Sequence, residues 1–357
     1  MLLTLGVCLV HPPARAENRE TKAISVQYKI DFKSEHSLGN LSCYNYEERL
    51  RWQAFKIRNG NDLGPAKGTV TVAVPSGKKL GLNLNSWALS NPESLDKITP
   101  NFVEGLLLQA GVASDDETED QRITKVIRHL GNFKHLKELF VDTSDVNDEQ
   151  LVELPTLTSL ERFSAFNVRP LVGTSLKRLS QLPNLHSICL SGTSFDGKNL
   201  ALLKDFKKLE SLDLAQTNLH GRLKYLTACP SLKQLYISSS NTTDDELNYL
   251  LQLKNLEILD LSHNMISDKG LQVLTGLKRL KSLDLTATSA TRSGVISLAK
   301  DMHLARLLVP NRNFTPAEQQ QLRDYCPDLT FGRPTQPKAP TNDAQHLFAP
   351  ITRQGGS

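Results

Sequence analysis

The 357-residue chain has no apolar stretch long enough to cross a bilayer. Its apolar segment Leu2–Val10 has nine residues, against the roughly 20 that a spanning helix needs. Charge of one sign is not concentrated either: Lys and Arg number 42 against 38 Asp and Glu, and no dense Lys/Arg run exists to follow a phosphate backbone. Nucleic acid is therefore excluded as the expected partner. Catalytic signatures are also missing, with no H-E-x-x-H, C-x-x-C or G-x-S-x-G. The nine histidines are scattered, none four residues from another on one helical face, so no metal and no cofactor are implied.

Two near-matches fail on chemistry. Gly77-Lys78 follows an expected strand as a phosphate loop would, but the first glycine is missing and Lys79 stands where a hydroxyl must meet magnesium. Ser76-Gly-Lys-Lys79 fits S-x-x-K without the S-D-N and K-T-G that accompany it in enzymes, so a turn is the better reading.

What is present fits a water-soluble globular chain: 39% apolar and 22% charged residues, with a mean hydropathy of -0.32. Residues 1–16 read as a secretory signal, because Ala14-Arg15-Ala16 has the small-x-small pattern and places the cut before Glu17, although no Lys or Arg precedes the apolar run. This makes the protein an expected export, periplasmic or secreted, and cytoplasmic if residues 1–16 instead pack on the core. Cys8 in Leu5-Gly-Val-Cys8 resembles a lipoprotein signal, but Val7 is too large for the position before the cysteine.

From residue 136 onward the chain repeats itself. Copies open at Leu136, Leu160, Leu185, Leu209, Leu232, Leu256, Leu280 and Leu304, a mean step of 24 residues. In Leu259-Asp260-Leu261 the period of two sends the leucines inward and Asp260 outward, as in a short strand. Leu271, Leu274 and Leu277 switch to a spacing of three, which suits a short helix or 3₁₀ segment laid back on the strands. Thr243 with Glu246, and Thr315 with Glu318 and Pro316, read as helix-opening capping boxes. No single copy can bury its own leucines, so the copies must stack and their ends must be capped.

The copy Leu256-Glu-Ile-Leu-Asp-Leu-Ser-His-Asn264-Met-Ile266 resembles the leucine-rich-repeat consensus L-x-x-L-x-L-x-x-N-x-L. Thr193, Thr217 and Thr288 replace Asn elsewhere, and with the 24-residue length this is most similar to the bacterial variety. The copies at Leu160 (Ala165, Val168) and Leu304 (Arg312) depart from the pattern. The resemblance covers about 190 of the 357 residues. It implies an α/β leucine-rich-repeat solenoid: a curved parallel sheet with short helices on its convex side.

Residues 17–110 are expected to form a small β-rich domain or an N-terminal cap. Ile24, Val26, Tyr28, Ile30 and Phe32 alternate as a half-buried strand, and Leu50–Ile57 reads as another. Val70/Val72/Val74 and Leu80/Leu82/Leu84 flank a turn as a β-hairpin. Thr99-Pro100 opens an expected helix through Leu108, closed by Gly111. The acidic run 115–120 reads as the entrance of a helix from Arg122 to Leu130, since the glycine and liganding periodicity of a calcium loop are missing. The solenoid with its caps then spans 111–331, and the Pro/Gly-rich segment 332–357 is expected to be a disordered tail.

The residues between the second and third inward positions should point out of the concave face: Phe140, Ser164, Cys189, Asp213, Tyr236, Asp260, Asp284 and Leu308. Phe140 with Phe166 would form an apolar end, Asp213, Asp260 and Asp284 an acidic centre around Tyr236, and His263 would lie beside Asp260. Aspartate also recurs at this position in such repeats without any partner-specific reason. Cys229 and Cys326 each precede a leucine (Leu232, Leu329) by three residues. Both leucines read as repeat-opening, so the two cysteines are equivalent, four repeats apart, and stand about 19 Å from each other, beyond the roughly 7 Å reach of a disulfide. The function expected is non-catalytic binding of a protein or peptide on the concave face. The alternatives are an enzyme with its active site in residues 17–110, or a cell-envelope structural protein.

Overall fold

The computed structural model describes residues 25–45, 60–99, 101–108, 117–310 and 312–331. The signal segment, the expected strand Leu50–Ile57, the Gly111 cap, the side chains of the acidic run and the segment 332–357 lie outside them.

Two sheets are present among the described residues. In the smaller one, β1 (Ser25–Asp31) pairs antiparallel with β4 (Thr69–Pro75). The larger one begins with antiparallel β3 (Asn61–Pro65), β2 (Gly39–Asn45) and β5 (Lys78–Leu84). It continues in parallel through β6 (Gly105–Leu107), β7 (Glu138–Phe140), β8 (Arg162–Ser164) and β9 (Ser187–Cys189). The remaining strands are β10 (Ser211–Asp213), β11 (Gln234–Tyr236), β12 (Ile258–Asp260), β13 (Ser282–Asp284), β14 (Arg306–Val309) and β15 (Asp328–Phe331). The expected solenoid is thus formed, and its antiparallel end continues the same sheet.

Each copy contributes one short strand followed by a short α or 3₁₀ helix. The middle strand residues stand in register, Leu212, Leu235, Leu259, Leu283 and Leu307 side by side, all in one buried core with the helix leucines Leu247, Leu250, Leu271 and Leu274. A left-handed residue follows each strand from β7 to β13: Thr143, Asn167, Gln216, Ser239, His263 and Ala287 have φ between 52° and 58°, and Gly192 has 73°. A left-handed residue that is not glycine costs about 1–2 kcal/mol. The turn is held in return by an inter-coil bond, as when His263 N donates to Thr286 O at 2.9 Å and Gln216 N to Ser238 O at 2.7 Å.

The consensus Asn position explains the copies that depart from it. Asn264 Oδ1 accepts from Ser240 N and Thr242 N, both at 3.0 Å, and its Nδ2 donates to Ile237 O at 2.8 Å, tying two coils together. Thr193, Thr217 and Thr288 can only return their hydroxyls to the carbonyls three residues back, at 2.7, 2.6 and 2.8 Å. Arg312 regains the inter-coil link by donating to Thr288 O at 2.6 Å and Ala290 O at 3.2 Å. On the helix side Asp268 Oδ1 accepts from Thr291 N at 2.8 Å of the next coil. That link needs Gly294, whose Cβ would stand 2.0 Å from the same oxygen.

Four expectations are corrected. β4 and β5 share a tight turn but form no hairpin, because β5 has both edges taken by β2 and β6 while β4 pairs with β1. The helix expected after Thr99-Pro100 is instead β6, the first parallel strand, with Val103, Leu106 and Leu108 in the core as Leu136, Leu139 and Val141 are. The Thr315/Glu318 capping box forms, whereas Thr243 makes no side-chain cap and bridges to Met265 of the next coil. Because Leu307 pairs with Leu329, Cys326 fills the place of Leu304 and is not equivalent to Cys229, though both are free and buried.

The candidate binding face

The first and third residues of each short strand turn away from the helices, onto the concave face. The third-residue row runs in register as Leu107, Phe140, Ser164, Cys189, Asp213, Tyr236, Asp260, Asp284 and Leu308. The facing follows the period of two, but the exposure does not follow from it. Leu107, Phe140, Ser164 and Cys189 are fully buried, and Asp213, Tyr236 and Asp260 are largely buried too, at 3%, 7% and 5% exposure. Phe140 packs with Leu107, Cys189 and Tyr44, and Phe166 packs against them, so this end is a second small core and Phe140 is no exposed anchor. Burial and the charges of Asp213 and Asp142 push the Cys189 thiol well above its usual range, which makes it an inert filler.

Glu138, the first residue of β7, has no exposed surface and lies at the same end. Its carboxylate accepts from Tyr44 Oη at 2.8 Å, Lys79 Nζ at 2.6 Å and Arg162 Nη1 at 2.5 Å. Burial and the neighbouring Glu138 charge push the Tyr44 phenol well up, so it stays a neutral donor. Four strands are tied by this one group: β2, β5, β7 and β8.

The aspartates serve the turns first. Asp213, Asp260 and Asp284 each turn Oδ1 back to a backbone N–H two residues on, those of Ala215, Ser262 and Thr286, at 3.0, 3.0 and 2.8 Å. His263 is the exposed left-handed residue of the turn after β12. At the strand entrances an alternating row forms ion pairs between neighbouring coils: Glu104–Lys137 and Glu210–Lys233 at 2.9 Å, and Glu257–Lys281 at 2.8 Å. The Lys281 ammonium, hydrogen-bonded to Glu257, lowers the Glu257 carboxyl below its usual range.

Toward the C-terminal end the face opens. A depression of about 430 Å³ is lined by Tyr236, Asp260, Asp284 and Leu308 from the expected row. Ile258, Ser282 and Arg306 line it too, with Glu257 and Lys281 at its rim. The first three are first-position strand residues, on the same face by the same period, and reasoning from the third position alone missed them. Asp213 stands one strand away, while Phe140, Phe166 and His263 are not brought to it.

One strand per copy, a core of register-matched leucines and a helix return every 24 residues meet one further observation: residues 230–289 match the family model described as leucine rich repeat. Residues 230–289 carry leucine-rich repeats, and the coils on either side share their fold. Two internalins are among the solved structures that resemble the chain. Internalin C2 from Listeria monocytogenes is 19% identical, with a TM-score of 0.40, over 59% of this chain and 83% of that one. A second internalin from Listeria monocytogenes is 14% identical, with a TM-score of 0.41, over 69% and 89%. Among the described residues of the leucine-rich-repeat protein, no helix is long and apolar enough to cross a membrane.

Proposed function

We propose that this leucine-rich-repeat protein is an exported, non-catalytic binding module that holds a protein or peptide partner on the C-terminal half of its concave face, over β11–β14. The observation that carries the reading is the gradient of closure along that face. Its N-terminal end is sealed by a core of its own, and its C-terminal end is left as an open depression of about 430 Å³. Ile258 and Leu308 offer apolar contact there beside the edge of the largely buried Tyr236, and Asp260 and Asp284 lie side by side on adjacent strands. Aromatic and apolar anchors supply most of the affinity in such a contact, and neighbouring acids favour a basic segment of the partner and set its orientation.

The test is affinity capture from the cell envelope with the full chain as bait, followed by binding of the captured partner to variants. Ser282→Arg and Leu308→Glu should each weaken binding by at least tenfold, a loss of about 1.4 kcal/mol. Val152→Glu, at an exposed position on the helix side, should leave it unchanged. Equal binding by all three would remove the concave face as the site.

A further inference from the structure

A buried carboxylate away from this face has no partner of its own. Glu246, in the first turn of the 3₁₀ helix Asp244–Gln252, is 6% exposed, and among the described residues neither carboxylate oxygen has a hydrogen-bond partner. The capping box that would have used it is not made, since Thr243 bridges to Met265. An ionised carboxylate withdrawn from water without compensation is strongly disfavoured, so a cationic group is called for. The nearest one is the ring of His220 in the preceding coil, with Nδ1 at 3.9 Å from Oε2. That is too long for a hydrogen bond. The same Nδ1 donates a hydrogen bond to the Asn241 carbonyl oxygen at 3.3 Å, a bond that a metal ion held by both atoms would replace, on a segment with two left-handed residues, Ser239 and Asn241. Asn218 Oδ1 accepts from His220 N at 3.3 Å and from Asn241 Nδ2 at 3.4 Å, which fixes the two loops to each other.

The geometry points to a mononuclear site for a divalent transition-metal ion of the zinc class. Its three protein donors are Glu246 Oε2, His220 Nδ1 and the Asn241 carbonyl oxygen, with water completing the set. Ligand distances of about 2.0–2.2 Å around a tetrahedral centre place donors about 3.3–3.6 Å apart. The His220–Asn241 separation already meets this, and the His220–Glu246 separation does so after a few tenths of an ångström of movement by an imidazole that is 66% exposed. An imidazole donor selects zinc over calcium or magnesium, which want oxygen ligands throughout. The ion neutralises Glu246 and links the coil that follows β10 to the coil that follows β11, so its role is a staple between repeats.

The test uses the full chain, stripped of metal, titrated with zinc ions near neutral pH by calorimetry, and crystals scanned for anomalous scattering at the zinc edge. The expected result is one zinc per chain between His220 and Glu246. Glu246→Gln and His220→Ala should each cut affinity at least tenfold, because losing even an outer-shell partner costs about 10–100-fold. His129→Ala, which removes the separate His129–Asp96 pair, should change nothing. Glu246→Gln also removes the buried charge, so the metal-free variant should be as stable as the parent or more so, and its loss of zinc cannot be laid to misfolding. Equal zinc uptake by parent and variants would overturn the site. So would an absence of zinc uptake in which the His220 ring titration still responds to Glu246→Gln, the mark of a proton-only ion pair.

Discussion

Removing the Glu138 carboxylate tests whether residues 25–108 and the repeats behave as one body. Glu138→Ala takes away from β7 a single acceptor shared by Tyr44, Lys79 and Arg162 on three other strands. Breaking a buried ion pair from one side costs about 3–5 kcal/mol. Here the cations retain a little solvent, 15% exposure for Lys79 and 11% for Arg162, so the low end applies, about 3 kcal/mol. That is a large part of the roughly 5–15 kcal/mol that holds a domain together. Tyr44→Phe, which leaves both cations on the carboxylate, should cost less, about 1.5–3 kcal/mol.

The assay is urea unfolding followed by two signals. Tryptophan fluorescence reports Trp52 and Trp87, both N-terminal to the repeats, and far-ultraviolet circular dichroism is dominated by the repeats. If the buried carboxylate couples the two regions, both midpoints fall together in Glu138→Ala. A loss below about 1 kcal/mol, the scale of an exposed pair, would refute the assignment of Glu138 as the junction. So would a shift in the fluorescence midpoint alone.

Four further outcomes are expected. Gly294→Ala should cost about 1–3 kcal/mol by forcing the Asp268 carboxylate off Thr291, read as a lowered urea midpoint; an unchanged midpoint would remove that inter-coil link. Burial pushes the Cys229 thiol up to about 11, so it should resist alkylation in the native protein at mildly alkaline pH and react on unfolding; rapid native labelling would contradict its packing. Since the native state disfavours that thiolate, its contribution to stability is intact below the unfolded thiol's range and is lost as pH rises toward about 11. The triple change of Asp213, Asp260 and Asp284 to Asn keeps the turn acceptors, so circular dichroism should hold while partner binding weakens more at low salt than at high; equal binding at both would exclude a charge role. N-terminal sequencing of the native protein should begin at Glu17, and an intact Met1 would remove the export reading.

The repeat was legible because every copy solves the same problem with the same residue spacing, so the period of 24 and the inward leucines follow from the sequence alone. Its first copy was not. Val103, Leu106 and Leu108 stand 33 residues ahead of Leu136, Leu139 and Val141, and the intervening helix Glu117–His129 breaks the period that reveals the others. The turn between β4 and β5 was also legible, but a turn fixes only that the chain reverses. Which strands then pair depends on whose edges are free, and β5 is claimed by β2 and β6, strands that no local pattern connects to it. The closed end of the concave face has the same cause. Phe140 is buried by contacts with Tyr44, far away in the chain, and alternation within β7 cannot report that.

The aspartates mark the limit of reading function from a repeat. Asp213, Asp260 and Asp284 each supply an acceptor for the N–H two residues on, a role in the turn that they fill whether or not anything binds. Recurrence along a solenoid therefore reports what the coil requires, and partner specificity has to reside in residues that break the recurrence. Along the open end those are Tyr236 and Leu308 within the aspartate row, and Ile258 and Arg306 where β9, β10 and β13 carry serine. All four line the depression. Binding should then respond more to Leu308→Glu than to any single Asp→Asn change on the same face. The reverse order would place the partner on the repeated acids and make the non-recurring residues bystanders.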